Sequence, residues 1–536
     1  MSERGNKSFI FIALSLSLSE KFNVISIFLK YLNLIGLRGC QDASHAYRLI
    51  ISVTILRVVY LFIFPLGLVG DESYYWEWGR NLDWGYYSKP PLIGWLMGAM
   101  IWLGINGASE LRVIAALFGG MTTIFVFNLG SRLFNQKVAF WAAIFLLLTP
   151  AISAVSLIIS IDAPLLFLWS LSMLAFWKVF YEKNHFGWIL ILILSLGLGN
   201  LTKQMMLLFP LLGAVTLLYD PSKRYLFLKP WIWLGWVCTL FFLLPPILWN
   251  WSNDWITIKH TASHINQNQF TIRDSVMNFF EFLLSESFIV GPILFFAGIY
   301  SLYKFSRSKN KGNEVNFLLI FSLPPLLFFL VLSFTQKVNP NWPAVFYLPM
   351  ILLCSYHISK INVSDWCKKF RIINLVCSVI LMAILYLSVF SIELFGLSGS
   401  KYDLFKRLRG YEQYAQKVTK IHDSISKENE FEIIVFGHRY DLCQLAFAGK
   451  GQPKVYGYWK KGYEINDQYD IWAQKKVYGI KNALIVCSIS EEIPTELINK
   501  YEKVEKLEEN IRITFPVGKQ HLFDLYKATS KISNKD

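Results

Sequence analysis

The chain has 536 residues, of which 54% are hydrophobic, 16% aromatic and only 17% charged, and it carries a formal net charge of +15. With a mean hydropathy of +0.40, that balance excludes an ordinary soluble domain and describes a polytopic membrane protein. The basic excess sits in short clusters between apolar runs, where it sets orientation across a bilayer, so nucleic acid is not expected as a partner.

Residues 1–45 read as an N-terminal extension without an assigned role. The run 8–19 is too short to span, 22–38 is interrupted by Lys30, and no small-x-small cleavage site follows a clean apolar core. Apolar runs long enough or nearly long enough to cross follow at 48–69, 111–131, 138–158, 165–182, 187–201, 204–219, 231–249, 287–304, 316–334, 343–359 and 372–393. The expected fold class is an α-helical polytopic membrane protein with about eleven core spans, or about 12–13 if the N-terminal segments also cross. Its transmembrane domain would occupy 46–396.

Orientation follows from basic residues in alternate connections: Arg132 and Lys137; Lys178 and Lys183; Lys223, Arg224 and Lys229; Lys304, Arg307, Lys309 and Lys311; Lys360, Lys368, Lys369 and Arg371. These belong on the cytoplasmic side. The intervening loops 70–112, 160–164, 200–203, 250–286 and 335–342 then share the far face with the tail. This assignment requires that Leu92–Ile105 not cross, because one more span would put every later basic cluster outside. Its length of about fourteen residues suits an interfacial or re-entrant segment. From Leu397 onward the charge content becomes ordinary, and FEIIVFG and NALIVCS read as buried strands between helix-like stretches. Residues 397–536 are therefore expected to form a small extracytoplasmic α/β domain.

Seven scattered cysteines (Cys40, Cys238, Cys354, Cys367, Cys377, Cys443 and Cys487) form no CxxC pair, so neither a zinc site nor a disulfide framework is indicated. Cys443 and Cys487 share the tail and are read either as a disulfide or as two buried thiols.

This topology gathers expensive polar groups on one face. Asp71 and Glu72 follow the first span, Asp162 lies in SIDAPL, Lys203 in GLGNLTKQ and Lys337 in QKVNPNWP, while Lys89 and Arg112 flank the non-crossing segment. Such groups at a bilayer edge cost several kcal/mol unless paired or hydrated, which points to a shared cavity. Glycosyl transfer from a lipid phosphate needs this set. A carboxylate takes the acceptor's hydroxyl proton, and cations stabilise the charge that grows on phosphate as the sugar departs. The aromatics Tyr74, Tyr75, Trp78, Tyr86 and Tyr87 in the same loop suit stacking on sugar C–H faces. A divalent cation between Asp71 and the phosphate is compatible with this scheme, although the sequence holds no ligand set that demands one, and metal dependence stays open.

Each element has a plainer competitor. Asp71 and Glu72 fit a solvated helix end, the aromatics an interfacial belt, and Asp162 before Ala-Pro an N-cap. Lys203 and Lys337 fit snorkelling side chains. His260 and His264 have metal-like i, i+4 spacing but no acidic third ligand, which favours a solvated helix face.

At these residues the sequence also resembles a known group. DESYYWEWGRNLDWGYYSKPPLIGWL is similar to the first extracytoplasmic loop of bacterial GT-C-type integral-membrane glycosyltransferases of the protein-mannosyltransferase-like and aminoarabinose-transferase-like kind. GLGNLTK, PPILWNWSNDWITIKH and KVNPNWPAVFYL resemble later landmarks, and RYDLCQLAFAGKGQPKVYGY and NDQYDIW resemble the tails of one branch, so the likeness runs from about Val58 to Trp472. The resemblance implies that Asp71 acts in catalysis or acceptor activation with Glu72 beside it, that Lys89 contacts donor phosphate, and that Asp162 is a second extracytoplasmic aspartate. Asn341 and Trp342 fall in the Asn-Trp-Pro-Ala landmark and are carried as substrate-binding candidates. Ser88 stands where the aminoarabinose branch has glutamate, a departure that argues against that particular sugar.

The resulting expectation is an inverting glycosyltransferase of the bacterial inner membrane. It would move a single sugar from a polyprenyl-phosphate-linked donor to an envelope acceptor, whether glycolipid such as lipid A, polysaccharide or protein. Asp71 and Glu72 are the catalytic candidates, and Lys89, Lys203, Arg112 and Lys337 the phosphate ligands. The rival expectation is a flippase or transporter that receives the same lipid head group without chemistry. Related halves would support it, and no internal repeat is evident.

Overall fold

The computed structural model describes residues 43–530 apart from positions 65, 183–185, 264–270, 361–364, 399, 401, 404, 407–408, 428, 460–463, 477–478, 489–491 and 514–520. The N-terminal segments, Lys183 and His264 lie outside the described residues.

The helical part begins with α1 (Ala43–Ile63), the loop-one helix α2 (Gly70–Arg80), α3 (Leu92–Trp102), α4 (Ala108–Leu133), α5 (Gln136–Leu147), α6 (Pro150–Val155), α7 (Asp162–Tyr181), α8 (Phe186–Asn200) and α9 (Leu208–Tyr219). It continues through α10 (Pro230–Phe241), α11 (Leu244–Ser252), α12 (Ile256–Ser263), α13 (Ile272–Val290), α14 (Pro292–Arg307), α15 (Asn313–Ile320), α16 (Leu323–Leu332), α17 (Tyr347–Lys360) and α18 (Asp365–Leu394). Among the described residues, five helices are long and apolar enough to cross a membrane, or seven if the bent pairs α10–α11 and α13–α14 each count as one span. The count of about eleven runs differs because several are broken. The run 138–158 divides at Thr149, where Pro150 opens α6, and 287–304 straddles a 106° bend at Gly291, whose φ of 96° precedes Pro292. Proline lacks the amide a continuing helix needs, and glycine alone adopts positive φ freely.

The segment expected not to cross is α3, with 11 residues, roughly 16 Å and about half of a hydrocarbon core. It lies against α2 through two glycines: a Cβ on Gly79 would come within 2.6 Å of the Gly98 amide nitrogen. At one end of the bundle, Arg132 pairs with Glu182 at 2.7 Å, Lys178 sits 3.9 Å from the Trp188 ring and Lys223 5.0 Å from Tyr181. Three of the basic clusters therefore gather together, as orientation by positive charge requires.

The tail contains α19 (Tyr411–Ile425), β1 (Glu432–Phe436), α20 (Arg439–Ala448), β2 (Val455–Gly457), α21 (Gln468–Lys476), β3 (Ala483–Ser488), α22 (Thr495–Ile498), β4 (Lys503–Ile513) and β5 (His521–Thr529). The runs FEIIVFG and NALIVCS form β1 and β3. The sheet order is β2-β1-β3-β5-β4, with β1 parallel to β2 and β3 and β5 antiparallel to β3 and β4. Cys443 and Cys487 are both buried thiols. Tyr414, Val418, Leu442, Val435 and Val486 share one apolar core with Tyr74, Trp76 and Trp78 of α2. The tail and loop one are thus packed as a single body.

Candidate active site

The first turn of α2 is fixed by a buried ion pair. Glu72 and Arg112 are 0% and 1% exposed, with Arg112 Nη2 2.5 Å from Glu72 Oε2. Glu72 also accepts from the amides of Val69 at 2.7 Å and Ile159 at 2.8 Å. Arg112 donates to the carbonyls of Leu66 at 3.0 Å and Gly67 at 2.8 Å. One node therefore ties α2, α4, the chain entering α2 and the turn ahead of α7. The expectation that Glu72 and Arg112 face substrate is not met by this geometry, because a buried charge keeps its hydrogen bonds and these two spend theirs on each other and on backbone.

Fixing Glu72 inward turns its neighbour outward. The Asp71 side chain is 54% exposed, and its Oδ1 accepts from the Tyr440 hydroxyl at 2.9 Å. Asp162 opens α7, yet its carboxylate does not cap the helix: Oδ1 accepts from Lys203 Nζ at 2.9 Å and Oδ2 from Asn341 Nδ2 at 2.7 Å. The Lys89 and Lys203 segments are joined by a backbone bond from the Leu92 amide to the Leu201 carbonyl, 2.9 Å.

These groups feel one another. Burial pushes the Lys89 ammonium below its ordinary range, the Lys203 charge lowers it further, and Asp162 and Asp71 pull it back up. Burial raises the Tyr75 phenol well above its usual value, with Asp71 and Asp162 adding to the effect. Lys203 has its carboxylate partner. The Lys89 ammonium has no hydrogen-bond or ion-pair partner among the described residues, so the cluster holds a desolvated cation ready for an anion.

The other candidates fall elsewhere. Lys337 is 67% exposed and pairs with Glu281 at 2.7 Å. Trp78 and Tyr86 are fully buried and stack on one another at 4.3 Å, which shapes the loop and leaves no ring face for a sugar. The Tyr74 hydroxyl accepts from the Gln468 amide at 2.6 Å, and the Tyr87 ring lies 4.6 Å from His260. Trp342 packs against the transmembrane core, next to Asn341. Among the described residues no group of three or more His, Cys, Asp or Glu side chains is placed to hold a metal.

Sequence reasoning missed Arg439 and Tyr440, which begin α20 and reach Asp71 from the tail. A signal was available: GHRYDL follows β1, and in α/β sheets the ends of parallel strands are where side chains are presented to ligands. An apolar cavity of about 490 Å³ lies among α7, α8, α9 and α10, lined by Phe176, Leu196, Trp231 and Trp236, with Asn200 and Leu207 in its wall on either side of Lys203 in the chain.

Residues 88–249, which include Lys89, Asp162 and Lys203, match the family described as dolichyl-phosphate-mannose-protein mannosyltransferase. The chain is 28% identical over 306 residues to the lipid A galacturonosyltransferase RgtD of Rhizobium johnstonii, covering 57% of this chain and 63% of that protein, less than two thirds of its length. ArnT from Cupriavidus metallidurans bound to undecaprenyl phosphate superposes with a TM-score of 0.62 at 15% identity, covering 92% of this chain and all of that one. The apo ArnT structure gives 0.60 over the same extent.

Proposed function

We propose, for a chain that belongs by fold to the GT-C-type integral-membrane glycosyltransferases, that it moves one sugar from a polyprenyl-phosphate donor to a cell-envelope glycolipid, with inversion at the anomeric carbon. The observation that carries this reading is the convergence of Asp71, Lys89, Asp162 and Lys203 on one end of the bundle, with Lys89 lacking a protein partner. The apolar cavity whose wall includes Asn200 and Leu207 has the lining to take part of an isoprenoid chain. The acceptor assignment draws on the lipid A relative and the donor on the ArnT complex. The loop and tail lie on the extracytoplasmic face of the inner membrane, opposite the basic clusters.

In this reaction the acceptor hydroxyl sits between Asp71 and the sugar. The carboxylate takes the hydroxyl proton as the oxygen attacks the anomeric carbon from the face opposite the phosphate. The carbon–phosphate-oxygen bond breaks, and its electron pair leaves with the polyprenyl phosphate. Lys89 and Lys203 face the oxygen on which that charge grows, where preorganised cations contribute most. Asp162 and Asn341 hold Lys203 in place, and Glu72 with Arg112 holds the turn that carries Asp71.

Purified protein incubated with labelled undecaprenyl-phosphate sugars and lipid A tests the proposal. Transfer that is lost in Asp71→Asn by about 10²–10⁴-fold, in a protein that still folds and inserts, is the expected result. Movement of an intact donor across vesicles, with no transfer, would favour the flippase reading and remove the mechanism.

A further inference from the structure

The tail domain is usually the part of such a chain easiest to regard as an appendage, but here α20 is seated on the catalytic turn. Gln444 Nε2 donates to the Leu68 carbonyl at 2.7 Å, the Ser73 hydroxyl donates to Cys443 Sγ at 3.2 Å, and the Cys443 thiol donates to the Gly70 carbonyl at 3.4 Å. Gly70 has no side chain because the Tyr440 ring occupies that space: a Cβ there would lie 2.6 Å from the ring. This close fit delivers the Tyr440 hydroxyl to Asp71 Oδ1 at 2.9 Å and Arg439 Nη2 to the same oxygen at 3.8 Å. Asp71 Oδ2 has no partner among the described residues.

We infer that the C-terminal domain completes the reaction centre: Tyr440 is a positioning residue that holds one oxygen of Asp71 and leaves the other aimed at the acceptor hydroxyl, and Arg439 is a further ligand for the donor's phosphate. The inference rests on the transferase reading above. A carboxylate at the exposed start of a helix has two free torsions, and a hydrogen bond to one oxygen selects the rotamer in which the other meets substrate. The donor's contribution falls on Arg439 for a separate reason. Its guanidinium lies 5.4 Å from the Tyr74 ring and 5.2 Å from Tyr440, its Nε is buried without a hydrogen-bond partner, and its charge reaches Lys89. Asp71 and Asp467 are the carboxylates whose charge Arg439 meets, and its free Nε leaves a donor that a phosphate oxygen can take beside Lys89 and Lys203.

The test is a pair of conservative variants in the full-length protein. Tyr440→Phe keeps the ring against Gly70 and removes only the hydroxyl. The expected result is a kcat lower by about 10–100-fold with the donor KM unchanged, a split that a general loss of structure would not give. Arg439→Gln is expected to raise the donor KM by about tenfold or more, and Arg439→Lys to recover part of it. If the wild-type protein transfers, Asp71→Asn does not, and Tyr440→Phe retains the wild-type kcat, the positioning role is overturned while the transferase stands. If Arg439→Gln keeps the wild-type donor KM, the phosphate role is overturned. A wild-type protein that transfers no sugar overturns both the transferase reading and this inference.

Discussion

Lys89→Met separates binding from stability, because the two should move in opposite directions. The ammonium of Lys89 is desolvated and lacks a partner among the described residues, with Lys203 as a like-charged neighbour. Leaving such a group buried costs at least about 1–3 kcal/mol. Methionine matches the side chain in length and removes the charge, so the empty protein should gain stability of that order and melt a few degrees higher in detergent. The same change deletes a charge-assisted hydrogen bond to phosphate worth about 1.5–3 kcal/mol, which weakens polyprenyl-phosphate binding by about 10–150-fold. The pH dependence has a definite sign. A lysine whose value is lowered in the folded state binds its proton less tightly there than in the unfolded chain, so stability rises with pH between the lowered value and the ordinary 10.5. Lys89→Met should flatten that alkaline rise. Thermal unfolding with and without polyprenyl phosphate, across pH 7–10, reads all three effects, and the ligand should stabilise the wild type far more than the variant. A variant that melts lower than wild type and still binds the lipid normally would refute the view of Lys89 as an unpaired cation waiting for phosphate.

The Glu72–Arg112 node should behave in the opposite way. Glu72→Gln leaves Arg112 buried beside a neutral amide and should cost about 3–5 kcal/mol, seen as a large fall in the melting temperature, and unchanged melting would show that the pair does not hold the loop. Gly70→Ala introduces a methyl group 2.6 Å from the Tyr440 ring. It should lower kcat and raise the donor KM together, since a shift of α20 carries both Tyr440 and Arg439 away from Asp71 and the donor phosphate, and steady-state kinetics with a labelled donor checks it.

The sequence made the one-sided gathering of Asp71, Lys89, Asp162 and Lys203 legible because charge near a bilayer is governed by a strong rule. Basic residues mark one face, and what remains must share the other. The same rule required a non-crossing α3, whose 11 residues fall well short of a span. Spacing alone could not divide Asp71 from Glu72. Adjacent helical positions point about 100° apart, and which one turns inward depends on Arg112, some forty residues downstream. Nor could composition distinguish the rings that stack in the core, Trp78 and Tyr86, from rings open to a ligand, since both uses favour the same residues. The break at Gly291–Pro292 was legible in principle as Gly-Pro, but a running count of apolar residues passes over it.

The placement of Asp71 also explains why the tail shares a core with loop one. A helix of 11 residues such as α2 is marginal by itself in water, where nucleation is costly and few turns repay it. Its order must come from burial, and Tyr74, Trp76 and Trp78 are buried in the same cluster as Leu442, Val435 and Val486 of the tail. The side-chain hydrogen bonds from Gln444 and Cys443 to the Leu68 and Gly70 carbonyls then fix the register between the two. The lysines, by contrast, are set by the transmembrane helices, through the Leu92–Leu201 bond and the Asp162 pair. The acidic and basic halves of the site are therefore held by different parts of the chain, and their distance is decided where α2 meets α4, at the buried Glu72–Arg112 pair.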